Sequence, residues 1–199
     1  SSLFYFNSLF YLPIIKYYLF HIGSAIIFGS AIFIFLSNIR ESIKKKKINY
    51  IYYFDLFSLI FILVFFYRLS EHGTDRSAQI LIFLILTEIF RILVLKKITT
   101  YEISILSILF SITISLKAFY FLYGLLLFPI LFIILKNNKF KNFIEKVFFN
   151  KAFYFSILLI ILVLITNFFN TGCLIYPLSI SCFTIFDWSI PLTETTQMA

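Results

Sequence analysis

Long continuous apolar stretches dominate this sequence and leave little choice of fold. Residues 125–135 and 157–165 are apolar on every side of a helix, so they need lipid or protein all around them. Only 13% of the 199 residues are charged, whereas a soluble domain has about a quarter. So few polar groups cannot keep a globule in solution. The sequence therefore predicts an all-α integral membrane protein.

The apolar stretches also predict how often the chain crosses the bilayer. A helix needs about 20 apolar residues to cross roughly 30 Å of hydrocarbon. The candidate stretches cover residues 12–36, 50–69, 78–95, 103–135 and 152–169. As one helix the fourth would be about 50 Å long, so we divide it near Lys117 into a short pair. We expect about six spans in one membrane domain over residues 1–199, a piece of a longer protein.

Basic residues predict which side each connection occupies, because Lys and Arg collect in cytoplasmic loops. The clusters comprise Arg40, residues 44–47, Lys96, Lys97 and five lysines between 136 and 151. They reach the same side if residues 103–135 cross twice. The lysine-rich loops are then cytoplasmic, and the segments at about 70–78, 115–118 and 170–199 are outside. Orientation and contact with anionic lipid account for the net charge of +8, so we expect no nucleic-acid partner.

The outer segment between the second and third spans has the densest polar cluster outside the lysine loops. Glu71, His72, Asp75 and Arg76 lie within six residues. Asp75 fits as an N-cap of the third span. The alternative to this structural role is a functional one, in which Asp75 and Arg76 bind a polar or phosphorylated substrate while Glu71 or His72 transfers a proton. Asp75, Glu71 and His72 are therefore candidate catalytic residues, and Arg76 is a candidate substrate ligand.

The only two cysteines of the chain lie in the last outer segment. Eight residues separate Cys173 from Cys182. In an oxidising compartment we expect them to form a disulfide, and the alternative is two small apolar side chains in a partly buried loop. Two cysteines without further ligands do not make a metal site. The sequence has no visible cofactor motif, although a divalent metal ion stays an open alternative.

Two further features lie in or beside the predicted spans. Lys117 occupies an outer turn, where positive charge is rare, and either binds the phosphate of a lipid-linked substrate or ends a short helix. Glu88 and Arg91 are three residues apart and can pair on one helical face. They are near the cytoplasmic end, where long side chains reach the interface easily, so we expect a structural pair.

Serines share one face of the fourth span. They are Ser104, Ser107, Ser111 and Ser115. Small polar residues allow helices to approach closely in lipid. We therefore expect this face to serve helix packing, with a substrate-lining role as the alternative.

Two outer segments also carry a family resemblance. Residues 71–81 read EHGTDRSAQIL, and residues 171–177 read TGCLIYP before Cys182 and Phe183. They resemble an uncharacterised family of large bacterial multi-pass membrane proteins, which is distantly similar to the GT-C glycosyltransferases. The resemblance implies a periplasmic site for a polyprenyl-phosphate-linked sugar, and Lys117 is similar to a lysine at an outer turn of those enzymes. The acidic motif that supplies their catalytic carboxylate matches no residue here.

Together with the predicted topology, this resemblance implies a glycosyltransferase-like protein of the bacterial inner membrane. We expect it to act at the periplasmic face on a lipid-linked sugar during cell-envelope glycan assembly. Its expected partners are the lipid bilayer and a polyprenyl-phosphate-linked sugar. The alternative is a non-enzymatic transporter or flippase of a lipid or polyisoprenoid, which requires a polar path through the helices.

Overall fold

The predicted all-α class is confirmed by a computed structural model. It describes residues 22–46, 48–66, 75–95, 98–116, 118–136, 140–175, 179–183, 186 and 189. The helices are α1 (Ile22–Lys44), α2 (Tyr50–Phe65), α3 (Asp75–Leu95), α4 (Thr100–Leu116), α5 (Phe128–Lys136), α6 (Phe140–Phe148) and α7 (Lys151–Thr171). Short 3-10 helices cover Ala118–Leu127 and Ser179–Ser181. The described part of the chain contains no β-strand.

Three helices in the described residues are long and apolar enough to cross a membrane. They span Ile22–Lys44, Arg76–Val94 and Lys151–Thr171. Shorter apolar helices cover Tyr50–Phe65, Thr100–Leu116 and Tyr120–Phe132. This finding agrees with the membrane prediction in its coarse form.

The break near residue 117 is also observed, but the second half of this stretch differs from a plain helix. α4 ends at Leu116, and Ala118–Leu127 form a 3-10 helix of ten residues, longer than the usual three or four residues. α5 begins only at Phe128, next to Pro129. Proline has no N–H to donate, so it is tolerated in a first helical turn but not further along. The chain therefore returns as a 3-10 helix followed by nine α-helical residues.

Side-chain caps fix where two of the helices begin. Asn49 accepts a hydrogen bond from the N–H of Tyr52 (3.2 Å) at the start of α2. Asn150 accepts one from the N–H of Ala152 (2.9 Å) at the start of α7. The amide of Asn150 also donates to the Ser104 hydroxyl at 2.9 Å. The starts of α4 and α7 are thereby joined, and the two helices run side by side in the same direction.

These contacts define two ends of the helical bundle. The lysine-rich end comprises the ends of α1 and α3, the starts of α2, α4 and α7, and helix α6. There Lys146 donates to the carbonyl of Ile98 (2.8 Å), which ties α6 to the connection between α3 and α4. The cysteine end comprises the start of α3 and the ends of α4 and α7. The outer segments predicted from the sequence all adjoin helix ends at the cysteine end.

α3 is the central helix of the bundle. It packs against α1, α2, α4 and α5. One apolar cluster joins α1, α2 and α3 around Phe35, Ile62 and Ile80. A second joins α3, α4 and α5 around Ile85 and Ile130. α7 packs on α4 but exposes most of its apolar side chains, which is the surface expected of a helix in contact with lipid.

Candidate functional site

Two of the residues that the sequence singled out as catalytic or substrate-binding, Asp75 and Arg76, lie at the cysteine end. α3 begins at Asp75, of which only the backbone is described, and Arg76 is half-buried in its first turn. Glu71, His72 and Lys117 lie outside the described residues. The structure therefore locates the helix ends that flank this group, and the roles assigned to its members stay predictions.

Cys173 and Cys182 form the predicted disulfide. The backbone on both sides of it pairs in antiparallel fashion. The N–H of Leu174 donates to Ser181 O at 3.0 Å, and that of Phe183 donates to Gly172 O at 2.9 Å. The disulfide thus closes a small loop that is also held by its own hydrogen bonds.

Gly172 joins this loop to α7. It ends the helix in the left-handed conformation, with φ of 74°, and its N–H donates to Phe168 O at 2.8 Å. A Cβ at this position would lie 2.5 Å from the Cβ of Ser189. The ring of Phe168 contacts those of Phe183 and Phe186 edge to face. The loop therefore folds back onto the last turns of α7.

A second polar cluster lies inside the bundle, near the lysine-rich end. The hydroxyl of Thr87 on α3 donates a hydrogen bond to Asp55 Oδ1 on α2 at 3.1 Å. Both residues are only 1% exposed. Asn38 on α1 approaches the same carboxylate without hydrogen-bond geometry. Asp55 Oδ2 and Asn38 Nδ2 have no hydrogen-bond partner among the described residues.

Glu88 and Arg91 extend this cluster and form the pair predicted from their spacing. Arg91 Nη1 donates to Glu88 Oε1 at 2.7 Å. Glu88 is 6% exposed, and its second oxygen, Oε2, has no partner in the described part of the chain. Asp55 and Glu102 both lie close enough to interact electrostatically with Glu88. Asp55 also interacts electrostatically with Arg91, so two carboxyl groups, those of Asp55 and Glu88, lie near one guanidinium group.

Glu102 has a local structural role within this group. It is buried at the start of α4 and accepts a hydrogen bond from the N–H of Thr99 at 2.5 Å. The Thr99 hydroxyl donates to the same carboxylate oxygen. A carboxylate near a helix start satisfies free N–H groups and interacts favourably with the helix dipole. Glu102 thus caps α4, whereas Asp55 and Glu88 keep unpaired oxygens.

A groove of about 300 Å³ opens beside the cluster, between α1, α3 and α4. Asn38, Glu88 and Arg91 line it toward the lysine-rich end. Leu84 and Leu109 line it deeper in the bundle. The groove is therefore amphipathic along its length.

The serine face of α4 is divided between packing and a second cavity. Ser104 contacts the Asn150 cap of α7, which agrees with the packing role. Ser107 and Ser111 line an apolar cavity of about 360 Å³ between α4, α5, α6 and α7. Their hydroxyls donate to carbonyls of their own helix, those of Ile103 and Ile108. Bonded in this way, the hydroxyls leave the cavity walls effectively apolar.

Asp55 is not among the residues predicted from the sequence, although a signal for it exists. It is the one charged residue of α2, in the segment YIYYFDLFSLIFILVF. A charged side chain inside an apolar span is expensive and marks a functional candidate by default. Its pairing with Thr87, 32 residues later in the chain, is visible only in three dimensions.

Comparison with known proteins gives a family and no established function. Searches of curated proteins and of solved structures found no match. The similarity to GT-C glycosyltransferases accordingly stays a prediction. A family model described as a domain of unknown function, DUF8201, matches residues 1–198. Because the match covers nearly the whole chain, this protein belongs to the DUF8201 family.

Proposed function

We propose that this chain is the membrane domain of a bacterial glycosyltransferase-like protein, which acts on a lipid-linked sugar at the periplasmic face of the inner membrane. The arrangement of helix ends carries the proposal. The start of α3, the end of α4 and the end of α7 share one end of the bundle, away from the lysine-rich end. This arrangement supports a single outer site built from segments 70–78, 115–118 and 170–199.

The proposed topology has six crossings. The 3-10 helix and α5 together make the fifth, and α6 lies at the cytoplasmic surface. α6 suits that place because it is amphipathic: Lys141 and Glu145 are exposed, while Phe143 packs against the apolar core. The disulfide supports an oxidising environment for the opposite end, since such bonds persist outside the cytoplasm.

In the proposed reaction, the bond between the sugar and the lipid phosphate breaks, and a bond forms from the same sugar carbon to an acceptor hydroxyl. Asp75, Glu71 or His72 takes the proton of that hydroxyl. Arg76 and Lys117 stabilise the negative charge that stays on the departing phosphate. The apolar tail of the donor remains in the surrounding lipid.

Thiol labelling tests the orientation. A cysteine introduced by Thr74→Cys should react with a membrane-impermeant maleimide in intact cells with a permeable outer membrane. Lys45→Cys, at the exposed lysine-rich end of α1, should react only after the inner membrane is opened. The native cysteines do not react with the maleimide because they are bonded to each other. Labelling of both variants from the same side would overturn the topology and the outer site with it.

Alanine substitutions test the activity. In cells that produce the full-length protein, Asp75→Ala or Lys117→Ala should lower the amount of the dependent envelope glycan by at least about tenfold, because each removes a charged contact to the reacting groups. Glu145→Ala and Lys141→Ala are matched controls, since both residues are exposed on α6. Membrane levels are compared by immunoblot. Normal glycan in both test variants would contradict the proposed site.

A transporter or flippase is the second candidate, and the polar cluster inside the bundle favours it. Buried Asp55 and Glu88 provide the intramembrane charges that a polar path requires. Purified protein in vesicles with a fluorescent lipid analogue separates the two functions. A flippase would move the analogue between leaflets, whereas a transferase would leave it in place.

A further inference from the structure

We propose that the groove between α1, α3 and α4 binds a phospholipid whose head group carries both a primary ammonium ion and a phosphate. This site lies at the lysine-rich end, whereas the proposed sugar transfer belongs to the cysteine end. Its occupation by lipid therefore does not depend on the proposed function. The shape of the groove, its charged groups and its apolar surroundings each support the binding of such a lipid.

The shape of the groove fits an amphiphile. Its polar wall, made by Asn38, Glu88 and Arg91, faces the lysine-rich end, and its deeper wall at Leu84 and Leu109 is apolar. α1 and α4 flank α3 without packing extensively against each other, so the groove opens sideways between them. A lipid can enter from that side with its head group toward the lysine-rich end and its chain along the helices.

The charges select the head group. Glu88 is 6% exposed and its Oε2 has no partner in the described residues. Glu88 lines the groove together with Arg91, with which it forms an ion pair, so its carboxyl group can accept a charge-assisted hydrogen bond from a head-group ammonium. Arg91 has five N–H donors and lines the same groove while giving one of them to Glu88. The remaining donors can bind a phosphate in a charge-assisted contact.

The number of carboxyl groups near the groove strengthens the case for a cationic head group. Asp55 and Glu102 lie near Glu88, and Arg91 is the paired cation of the cluster. An ammonium ion can donate hydrogen bonds to carboxyl oxygens of such a cluster. A quaternary ammonium has no N–H to donate, and a purely anionic head group brings no positive charge. Phosphatidylethanolamine therefore fits better than phosphatidylcholine or phosphatidylglycerol.

The surroundings favour a lipid over a soluble amine. Phe33 lines the groove and is 73% exposed. Ile34 lines it as well and is also exposed. Such side chains at the mouth suit contact with acyl chains. A head group without chains would leave this apolar wall uncovered.

Native mass spectrometry of the purified full-length protein tests the proposal, with short-chain phosphatidylethanolamine, phosphatidylcholine and phosphatidylglycerol as probes. Phosphatidylethanolamine should bind at least about tenfold more tightly than phosphatidylglycerol. Glu88→Gln should weaken its binding by about tenfold, because a charged hydrogen bond is lost, and should not weaken binding of phosphatidylglycerol. Glu145→Gln, on exposed α6, should bind all three lipids as the native protein does.

A second pair of variants tests the groove without touching its charges. Ile34→Trp places a large ring in the groove and should reduce binding of phosphatidylethanolamine about tenfold. Ile60→Trp, at an exposed position of α2 that does not line the groove, should have no effect. These variants decide the question even if Glu88→Gln fails to fold, which circular dichroism would reveal.

Three outcomes would overturn the proposal. The first is equal binding of the three lipids, and the second is unchanged binding of phosphatidylethanolamine by both Glu88→Gln and Ile34→Trp. The third is competition by soluble phosphoethanolamine at the same concentration as the lipid, because the apolar wall would then contribute nothing. Each outcome concerns purified protein, so it is independent of the glycan measurements.

Discussion

Opening the disulfide between Cys173 and Cys182 should make the backbone amides of the loop exchange with solvent about a hundredfold faster. The bond closes a loop of about ten residues, and in the chain-entropy account such a closure is worth about 3 kcal/mol. That free energy corresponds to a factor of about a hundred in the local opening equilibrium. The amides of Leu174 and Phe183 are the reporters, because both donate across the loop.

Hydrogen exchange with and without a reducing agent measures this effect by mass spectrometry. Amides in the centre of α3 should not change, since they lie in the packed core. The double variant Cys173→Ser, Cys182→Ser should exchange rapidly in both conditions and show no response to reductant. Slow exchange in the reduced protein would mean that hydrogen bonds and the ring of Phe168 alone hold the loop on α7.

Replacing Thr87 by Val should lower the free energy of unfolding by about 2 kcal/mol, a factor of about thirty in the unfolding equilibrium. Val has nearly the same shape but no hydroxyl, so Asp55 loses the hydrogen bond it accepts in the core. A buried carboxylate without a donor is much less favourable than a paired one. Titration with SDS in detergent micelles, followed by circular dichroism, measures the change.

The double variant Thr87→Val, Asp55→Leu should recover most of this loss. Replacing both partners of a buried polar pair by apolar groups of similar shape is often close to neutral. Thr166→Val is the matched control, because Thr166 is exposed on α7 and donates only to Val163 O of its own helix. If Thr87→Val lowers the free energy of unfolding no more than this control does, the hydrogen bond to Asp55 contributes little to stability.

The features that the sequence predicted correctly depend on local patterns. Apolar stretches of sufficient length predicted the helices. The division predicted near Lys117 agrees with the end of α4 at Leu116 and the start of the 3-10 helix at Ala118. The spacing of three predicted the pair of Glu88 and Arg91. The two cysteines of the chain have only each other as partners, and the disulfide expected for an oxidising compartment is present.

The features that the sequence missed depend on contacts between distant residues. The neighbours of Asp55 come from α1 and α3, and no local pattern pairs them. The 3-10 helix Ala118–Leu127 has the same apolar composition as an α-helix, so hydropathy cannot distinguish the two. The outer polar cluster at Glu71 and His72 lies outside the described residues, and its roles rest on the sequence.

α3 connects the two ends of this molecule as one unbroken rod. It begins at Asp75 and carries Glu88 and Arg91 on its last turns, and its 21 residues extend over about 30 Å. A stiff helix transmits an axial shift or a rotation along its whole length. A lipid that displaces α3 at the groove would therefore move the start of the helix at Asp75 by a similar amount, which would couple the proposed lipid site to the proposed site at the cysteine end.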